Sequence, residues 1–343
     1  MLDLNNKSIL ITGGTGSFGE KFVEIVLRKF PKIKKLVIFS RDELKQFEMA
    51  NRFPTERYKS LKFVIGDVRD KPRLKRAFED IDIVVHAAAL KQVPTMEGNP
   101  MECIKTNVLG SENVIEAALD AGVKNVVALS TDKAVAPISL YGATKLCSDK
   151  LFIAANEAKG RRDVKFSIVR FGNVMGSRGS VLPYFLEQKR RGFLPITDTQ
   201  MSRFCISWEE GTEMIFHALT HCWGGEIYVR KSPSFKIVDL AEAIGEGLEW
   251  KIVGLRPGEK IHEEMINESD SANTFEFGKY FVVLPATTSA WNVTEWIKHF
   301  EAKPVPIGYK YESYNNKEWL TVEELKKRIQ LYENEKLNAN INL

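Results

Sequence analysis

The chain has 343 residues, 44% of them hydrophobic and 27% charged, with a formal net charge of +4. That length suits one large or two modest domains, and the composition is ordinary for a globular protein. The small positive charge fits an anionic small-molecule substrate, while the lack of a basic run with interleaved aromatics speaks against a nucleic-acid partner.

Strands are predicted at Ser8 to Thr12, Lys35 to Phe39, Leu61 to Ile65, Ile81 to His86, Asn125 to Leu129 and Lys165 to Arg170. They are rich in Ile and Val with little polar alternation, as expected for strands buried on both faces. Helical patterns lie between them, at Phe18 to Arg28 and Met101 to Ala121. This rhythm predicts an α/β fold with a doubly wound parallel sheet of Rossmann type over residues 1–171. After 171 the rhythm breaks into loops rich in Gly, Pro and Ser. Residues 172–285 read as a smaller α/β substrate lobe, with the chain free to cross back. Residues 286–343 read as a C-terminal extension holding Trp291, Trp296, Phe300, Trp319 and a helical pattern from Val322 to Tyr332.

Four scattered cysteines, Cys103, Cys147, Cys205 and Cys222, form no CxxC pair, so neither a zinc site nor a disulfide framework is expected. No His/Asp/Glu cluster has metal spacing. The first residues do not read as a signal peptide, and no stretch nears about 18 apolar residues. The expectation is a cytoplasmic protein with no membrane partner.

Gly13, Gly16 and Gly19, with Thr15, Ser17 and Phe18 among them, follow a predicted strand and open a predicted helix. There they allow a tight turn and bring backbone N–H groups to a pyrophosphate. The second strand ends in Ser40-Arg41-Asp42, with Lys45 one turn on. A hydroxyl and a guanidinium suit a 2′-phosphate, which points to NADP, with Asp42 also a natural helix N-cap. Asp67 and Val68 follow the third strand, placed for the adenine. Ala87, Ala88 and Lys91 follow the fourth, placed near the ribose and nicotinamide. His86 reads as a satisfied structural residue.

Ser130-Thr131-Asp132-Lys133 then ends a strand, and Tyr141 and Lys145 lie four residues apart on the next helix. That spacing sets phenol and amine on one helix face, where the amine's charge is expected to lower the phenol's pKa. An isolated Asp-Lys pair is usually a solvated loop feature. Beside Ser-Thr and upstream of Tyr-xxx-Lys it offers acid/base capacity beyond alcohol oxidation. Adjacent residues on a strand face opposite ways, so both can meet a substrate only if the backbone turns directly after Thr131.

With the glycine loop, Asn107, Ser130-Thr-Asp-Lys133 and Tyr141-xxx-Lys145 in hand, the chain resembles the extended short-chain dehydrogenase/reductases and, within them, the nucleotide-sugar 4,6-dehydratases. The likeness narrows at Ser40-Arg-Asp-Glu-Leu-Lys45, Ala87-Ala-Ala-Leu-Lys91 and Arg170-Phe-Gly-Asn-Val-Met-Gly-Ser-Arg178. These are similar to the C5-inverting dehydratases of UDP-N-acetylglucosamine that open pseudaminic acid biosynthesis. The resemblance implies a tightly bound NADP recycled within each turnover. It implies hydride removal at C4 by Tyr141, Lys145 and Thr131, with Asp132 as acid and Lys133 as C5 base. Lys145 and a nicotinamide are expected to push the Lys133 pKa down. UDP-N-acetylglucosamine would be held by Lys91, Thr131, Asn173 and Arg178, with Val181, Pro195, Thr197 and Met201 toward the base or ribose. Arg256 would take the diphosphate and Glu259 a ribose hydroxyl. A homo-oligomer such as a hexamer is implied as well. The open alternatives are a C5-retaining dehydratase, a 4-epimerase of a UDP-sugar, and a non-catalytic NADP-sensing regulator.

Overall fold

Ser8–Thr12 (β1) is buried along its whole length, since Ile9, Leu10 and Ile11 have apolar partners on both sheet faces. The computed structural model describes residues 2–286 and 288–341. β1 pairs in parallel with Lys35–Ser40 (β2) on one side and with the strand Ile83–His86 on the other. Leu61–Ile65 (β3) continues outward from β2. With Ile83–His86 as β4, Asn125–Thr131 (β5) and Lys165–Phe171 (β6) complete the parallel order 3-2-1-4-5-6. Strand order reverses between β1 and β4, which opens a crevice at their carboxyl ends.

The sheet does not stop where the rhythm breaks. Ile227–Arg230 pairs in parallel with β6, and Tyr280–Val283, Thr274–Phe277 and Lys303–Pro304 follow in antiparallel pairing, giving ten strands. The chain therefore crosses back into the nucleotide-binding body well after residue 172. The smaller lobe is built on the strands Phe193–Ile196, Ser202–Ile206, Ser234–Lys236 and Glu249–Ile252. Its apolar core joins Leu182, Leu194, Phe235 and Leu240 to Leu325 and Ile329 of the C-terminal helix Val322–Ile341.

Met101 to Ala121 differs from the single helix expected. It divides into Pro100–Ile104, a π-helical turn at Lys105–Leu109, and Gly110–Ala121. Asn107 sits in that wide turn. Its amide accepts from Leu90 N–H at 2.8 Å and donates to the Leu90 carbonyl at 2.9 Å and to Thr144 Oγ1 at 3.1 Å. Mid-helix irregularity of this kind commonly marks a functional region.

His86 closes β4 with Nδ1 at 2.9 Å from Thr12 Oγ1 and Nε2 at 3.3 Å from Ser111 Oγ. Burial, aided by the charge of Lys145, pulls its pKa to about 3, so the ring is neutral. The unfolded chain takes up this proton below the ordinary value near 6.5, and the folded chain does not, so stability falls as pH drops from there toward 3. Lowering the pH from about 6.5 to about 5 should remove roughly 2 kcal/mol through His86 alone. Urea titrations across that range should show the slope, and His86→Gln should flatten it. His217, which burial also pulls to about 3, contributes a slope of the same sign.

Candidate active site

The first turn is built for close approach. Gly13 has φ +66°, and a Cβ there would stand 2.8 Å from Ala88 Cα. A side chain would fill the space between the glycine loop and the end of β4, where a dinucleotide backbone passes. The helix Ser17–Lys29 opens directly behind it with Gly16 at its N-cap, aiming free N–H groups into the crevice.

A cavity of about 600 Å³ runs from this loop across the carboxyl ends of the strands. Thr15, Gly16, Ser17, Phe18 and Gly19 form its floor, and Ser40, Arg41, Asp42 and Lys45 border one end. Val68, Ala87, Ala88 and Lys91 line its middle. Thr131, Asp132, Lys133, Tyr141, Lys145 and Asn173 meet at the other end. Arg178 also borders the cavity, but it faces the glycine-loop helix. Its N–H reaches Ser17 Oγ at 3.3 Å and its guanidinium reaches Glu20 at 3.3 Å. It lies across the cofactor loop rather than on a free sugar-phosphate surface.

Several expected contacts lie elsewhere. The Asp67 carboxylate is taken up by Arg69 at 2.7 Å and Arg41 at 3.5 Å, and Asp67 does not border the cavity. Val181 lines a separate small hollow. Pro195, on the strand Phe193–Ile196, and Met201, just before the strand Ser202–Ile206, are both buried, Met201 in the lobe's apolar core. Thr197, Arg256 and Glu259 also stand outside the cavity. Arg256 is exposed, with its guanidinium 6.0 Å from the Tyr184 ring centre. The Glu259 carboxylate lies 3.8 Å from Arg203.

The backbone does turn directly after Thr131. A 3-10 turn spans Asp132–Ala134, and Thr131 Oγ1 accepts from Lys133 N–H at 3.4 Å. The turn is possible because the helix Leu140–Ala158 packs hard against it. That helix is capped by Ser139, whose Oγ accepts from Gly142 N–H at 3.2 Å. A Cβ on Gly142 would collide with the Lys133 carbonyl oxygen. Asp132 and Lys133 thus both reach the cavity beside Tyr141.

The Asp132 carboxyl is buried. Oδ1 accepts from Thr131 Oγ1 at 2.9 Å and from Lys133 Nζ at 3.1 Å, while Oδ2 has no hydrogen-bond partner. Burial and the neighbouring Glu263 carboxylate raise its pKa. Lys133 Nζ also lies 2.8 Å from Glu263 Oε1. Burial pulls the amine's pKa down, but the Asp132 and Glu263 carboxylates together more than reverse that, so it is raised. This overturns the expected lowering by Lys145: the two carboxylates govern Lys133.

Burial pushes the Tyr141 phenol up to about 12, opposed by the Lys133 charge and the Thr131 hydroxyl. The expected lowering by Lys145 does not prevail. That amine is itself pulled down by burial and held up by Asp149. Asp149 accepts from Ser130 Oγ at 2.7 Å and pairs with Arg170 at 3.5 Å. Neither Asp149 nor Glu263 emerged from the sequence. Asp149 has a local signal, since it follows Lys145 by four residues on the same helix. Glu263 follows Glu259 by only four residues, but nothing in the sequence connects it with Lys133.

A reversed parallel strand order, a glycine-rich first turn and a Tyr-xxx-Lys pair at the strand ends define an extended short-chain dehydrogenase/reductase. The chain belongs to the polysaccharide biosynthesis protein family, whose profile matches residues 9–285. It is 48% identical over 326 residues to the UDP-N-acetylglucosamine 4,6-dehydratase (inverting) of Campylobacter jejuni subsp. jejuni, spanning 94% of this chain and 96% of that protein. It is 41% identical to a UDP-glucose 4-epimerase of Rickettsia akari, spanning 94% and 95%. Among solved structures, Pen from Bacillus thuringiensis superposes with a TM-score of 0.86 at 36% identity, covering 98% of this chain and all of that one.

The contact between Gly142 and Lys133 gives a direct check. Gly142→Ala should lower stability by roughly 1–3 kcal/mol, because backbone on the opposite side cannot retreat as a side chain would. Thermal unfolding of the purified variant reads this, and an unchanged midpoint would show that the turn can yield.

Proposed function

We propose that this protein is a UDP-N-acetylglucosamine 4,6-dehydratase that inverts C5 and uses NADP, supplying a 4-keto-6-deoxy sugar nucleotide to surface-glycan synthesis of the pseudaminic acid type. The observation that carries this reading is Asp132 and Lys133 turned together into the cavity beside Tyr141 and Lys145. A 4-epimerase needs the phenol and its lysine but has no use for a second acid/base pair.

The residues present fit a nicotinamide dinucleotide, from the Gly13 cradle to the Lys145 amine. Bound there, it supplies reversible hydride acceptance for oxidation at C4 and reduction at C6. Tyr141 handles the 4-OH proton, with Thr131 beside it. The resulting 4-ketone acidifies the C5 proton, and Lys133 is the base placed to remove it. Asp132, with a pKa raised by burial and Glu263, holds the proton that the departing 6-OH needs. A proton returned to C5 on the opposite face completes inversion. Loss of one water is the only net change, so no second substrate is consumed.

Incubation with UDP-N-acetylglucosamine in D2O, followed by proton NMR, should show a new C6 methyl, deuterium at C5 and L-arabino couplings. D-xylo couplings would retain the dehydratase and remove inversion, and a simple C4 epimer would favour the epimerase. Lys133→Ala should lower dehydration by at least about a hundredfold. Arg41 and Lys45 are half-exposed at the cavity end and support the 2′-phosphate assignment. Arg41→Ala should weaken NADP binding by about tenfold or more while changing NAD binding much less. Competition titrations read the difference, and equal loss for both would remove the assignment.

A further inference from the structure

Lys133 poses a problem of proton balance. Its amine sits between two carboxylates, 3.1 Å from Asp132 Oδ1 and 2.8 Å from Glu263 Oε1, and an ammonium held in that way has no lone pair with which to take a proton from carbon. One of its protons must leave as the C5 proton arrives. Asp132 is unsuited to receive it, because the reaction needs that carboxyl loaded as the acid. Glu263 is the remaining acceptor in contact.

We infer that Glu263 is the proton acceptor behind Lys133, and that Asp132, Lys133 and Glu263 form one closed proton circuit. As the C5–H bond breaks, its electron pair enters the enolate of the 4-ketone and its proton bonds to Lys133 Nζ. A different N–H bond of Lys133 breaks, and that proton bonds to Glu263. Asp132 gives its proton to the 6-oxygen as the C6–O bond breaks, and water leaves. The proton on Glu263 then returns through Lys133 to Asp132, restoring the start. The inference rests on the dehydratase reading above.

The surroundings support this division. Glu263 is buried, and its Oε2 has no partner. Arg203 Nε lies 3.7 Å from Oε1, and the Arg203 guanidinium is locked by the carbonyls of Ser202, Ile261 and Lys260 at 2.7–2.9 Å. Burial raises the Glu263 pKa, but Lys133, Arg203 and Lys260 more than reverse it, so the carboxylate begins the cycle empty. The amine of Lys91, on the loop after β4, is pulled down by burial and by the charge of Lys133. Glu263 N–H donates to Ser313 Oγ at 3.0 Å and its carbonyl accepts from Ser313 N–H at 2.8 Å, which fixes Glu263 in place.

The test uses the holoenzyme and UDP-N-acetylglucosamine, with three readouts: reduced nicotinamide absorbance, deuterium entry at C5, and substrate affinity. Glu263→Gln keeps the shape and cannot accept a proton. It should lower C5 exchange and dehydration by at least about tenfold, accumulate reduced nicotinamide, and leave substrate affinity within about threefold. Glu263→Asp should recover part of the rate. The acid limb of the wild-type kcat profile, where Glu263 becomes protonated, should be absent in Glu263→Gln. Wild-type exchange in Glu263→Gln overturns the inference, as does a variant in which reduced nicotinamide never forms. Should Glu263→Gln not fold, Glu263→Asp decides: its shorter carboxylate must slow exchange while oxidation persists, and wild-type exchange overturns the inference. Wild-type protein that forms no 4-keto product would instead overturn the dehydratase reading and leave the Glu263 contact unexplained by it.

Discussion

The site depends on one steric constraint: the backbone of the helix Leu140–Ala158 touches the backbone of the turn after β5. With no Cβ at Gly142, the Lys133 carbonyl can sit against the helix's first turn. That contact reverses the chain at the strand end. A strand continuing straight would send Asp132 and Lys133 to opposite faces. With the turn in place, both approach the phenol on the adjoining helix. Asp132, Lys133, Tyr141 and Lys145 are thus brought together by a missing side chain as much as by their own.

Around this point the protein buries charge in two chains. One runs from Asp132 through Lys133 and Glu263 to Arg203, the other from Ser130 through Asp149 and Arg170 to Asp270. Removing one member of such a chain strands its neighbours without a counter-charge, which is far more destabilising than the whole chain is stabilising. Their value is positional. The first chain sets its two carboxyls apart, with Asp132 raised and Glu263 lowered. The second sets the Asp149 charge against the burial that pulls the Lys145 amine down.

Much of the fold was legible because its signals are local. Ile/Val-rich runs fix the six parallel strands of four to seven residues, and a glycine loop between a strand and a helix marks the expected cofactor end. The Asp132–Lys133 turn was legible as a requirement, since the alternation of side chains on a strand demands it. The π-turn at Lys105–Leu109 was not, because its apolar pattern is that of an ordinary helix. Met201 and Pro195 misled for a related reason: one residue's chemistry does not reveal whether it faces ligand or core. The pKa of Lys133 was misjudged because two carboxylates hold it, Asp132 beside it and Glu263, which is 130 residues away in sequence.

That distance reflects how the site is assembled. Arg203 lies on a strand of the smaller lobe, and Glu263 on the segment leading from that lobe back toward the body. Lys260 of the same segment donates to the Val135 carbonyl at 2.7 Å, so the segment grips the catalytic turn directly. The lobe therefore contributes to the proton balance as well as to substrate shape. A change in the lobe that shifted Glu263 by an ångström would leave the phenol–lysine pair and the nucleotide loop intact, yet alter the balance of protons between Asp132 and Lys133. One Tyr-xxx-Lys body can thus host different chemistries, because Glu263 and Arg203, among the groups around Lys133, come from outside it.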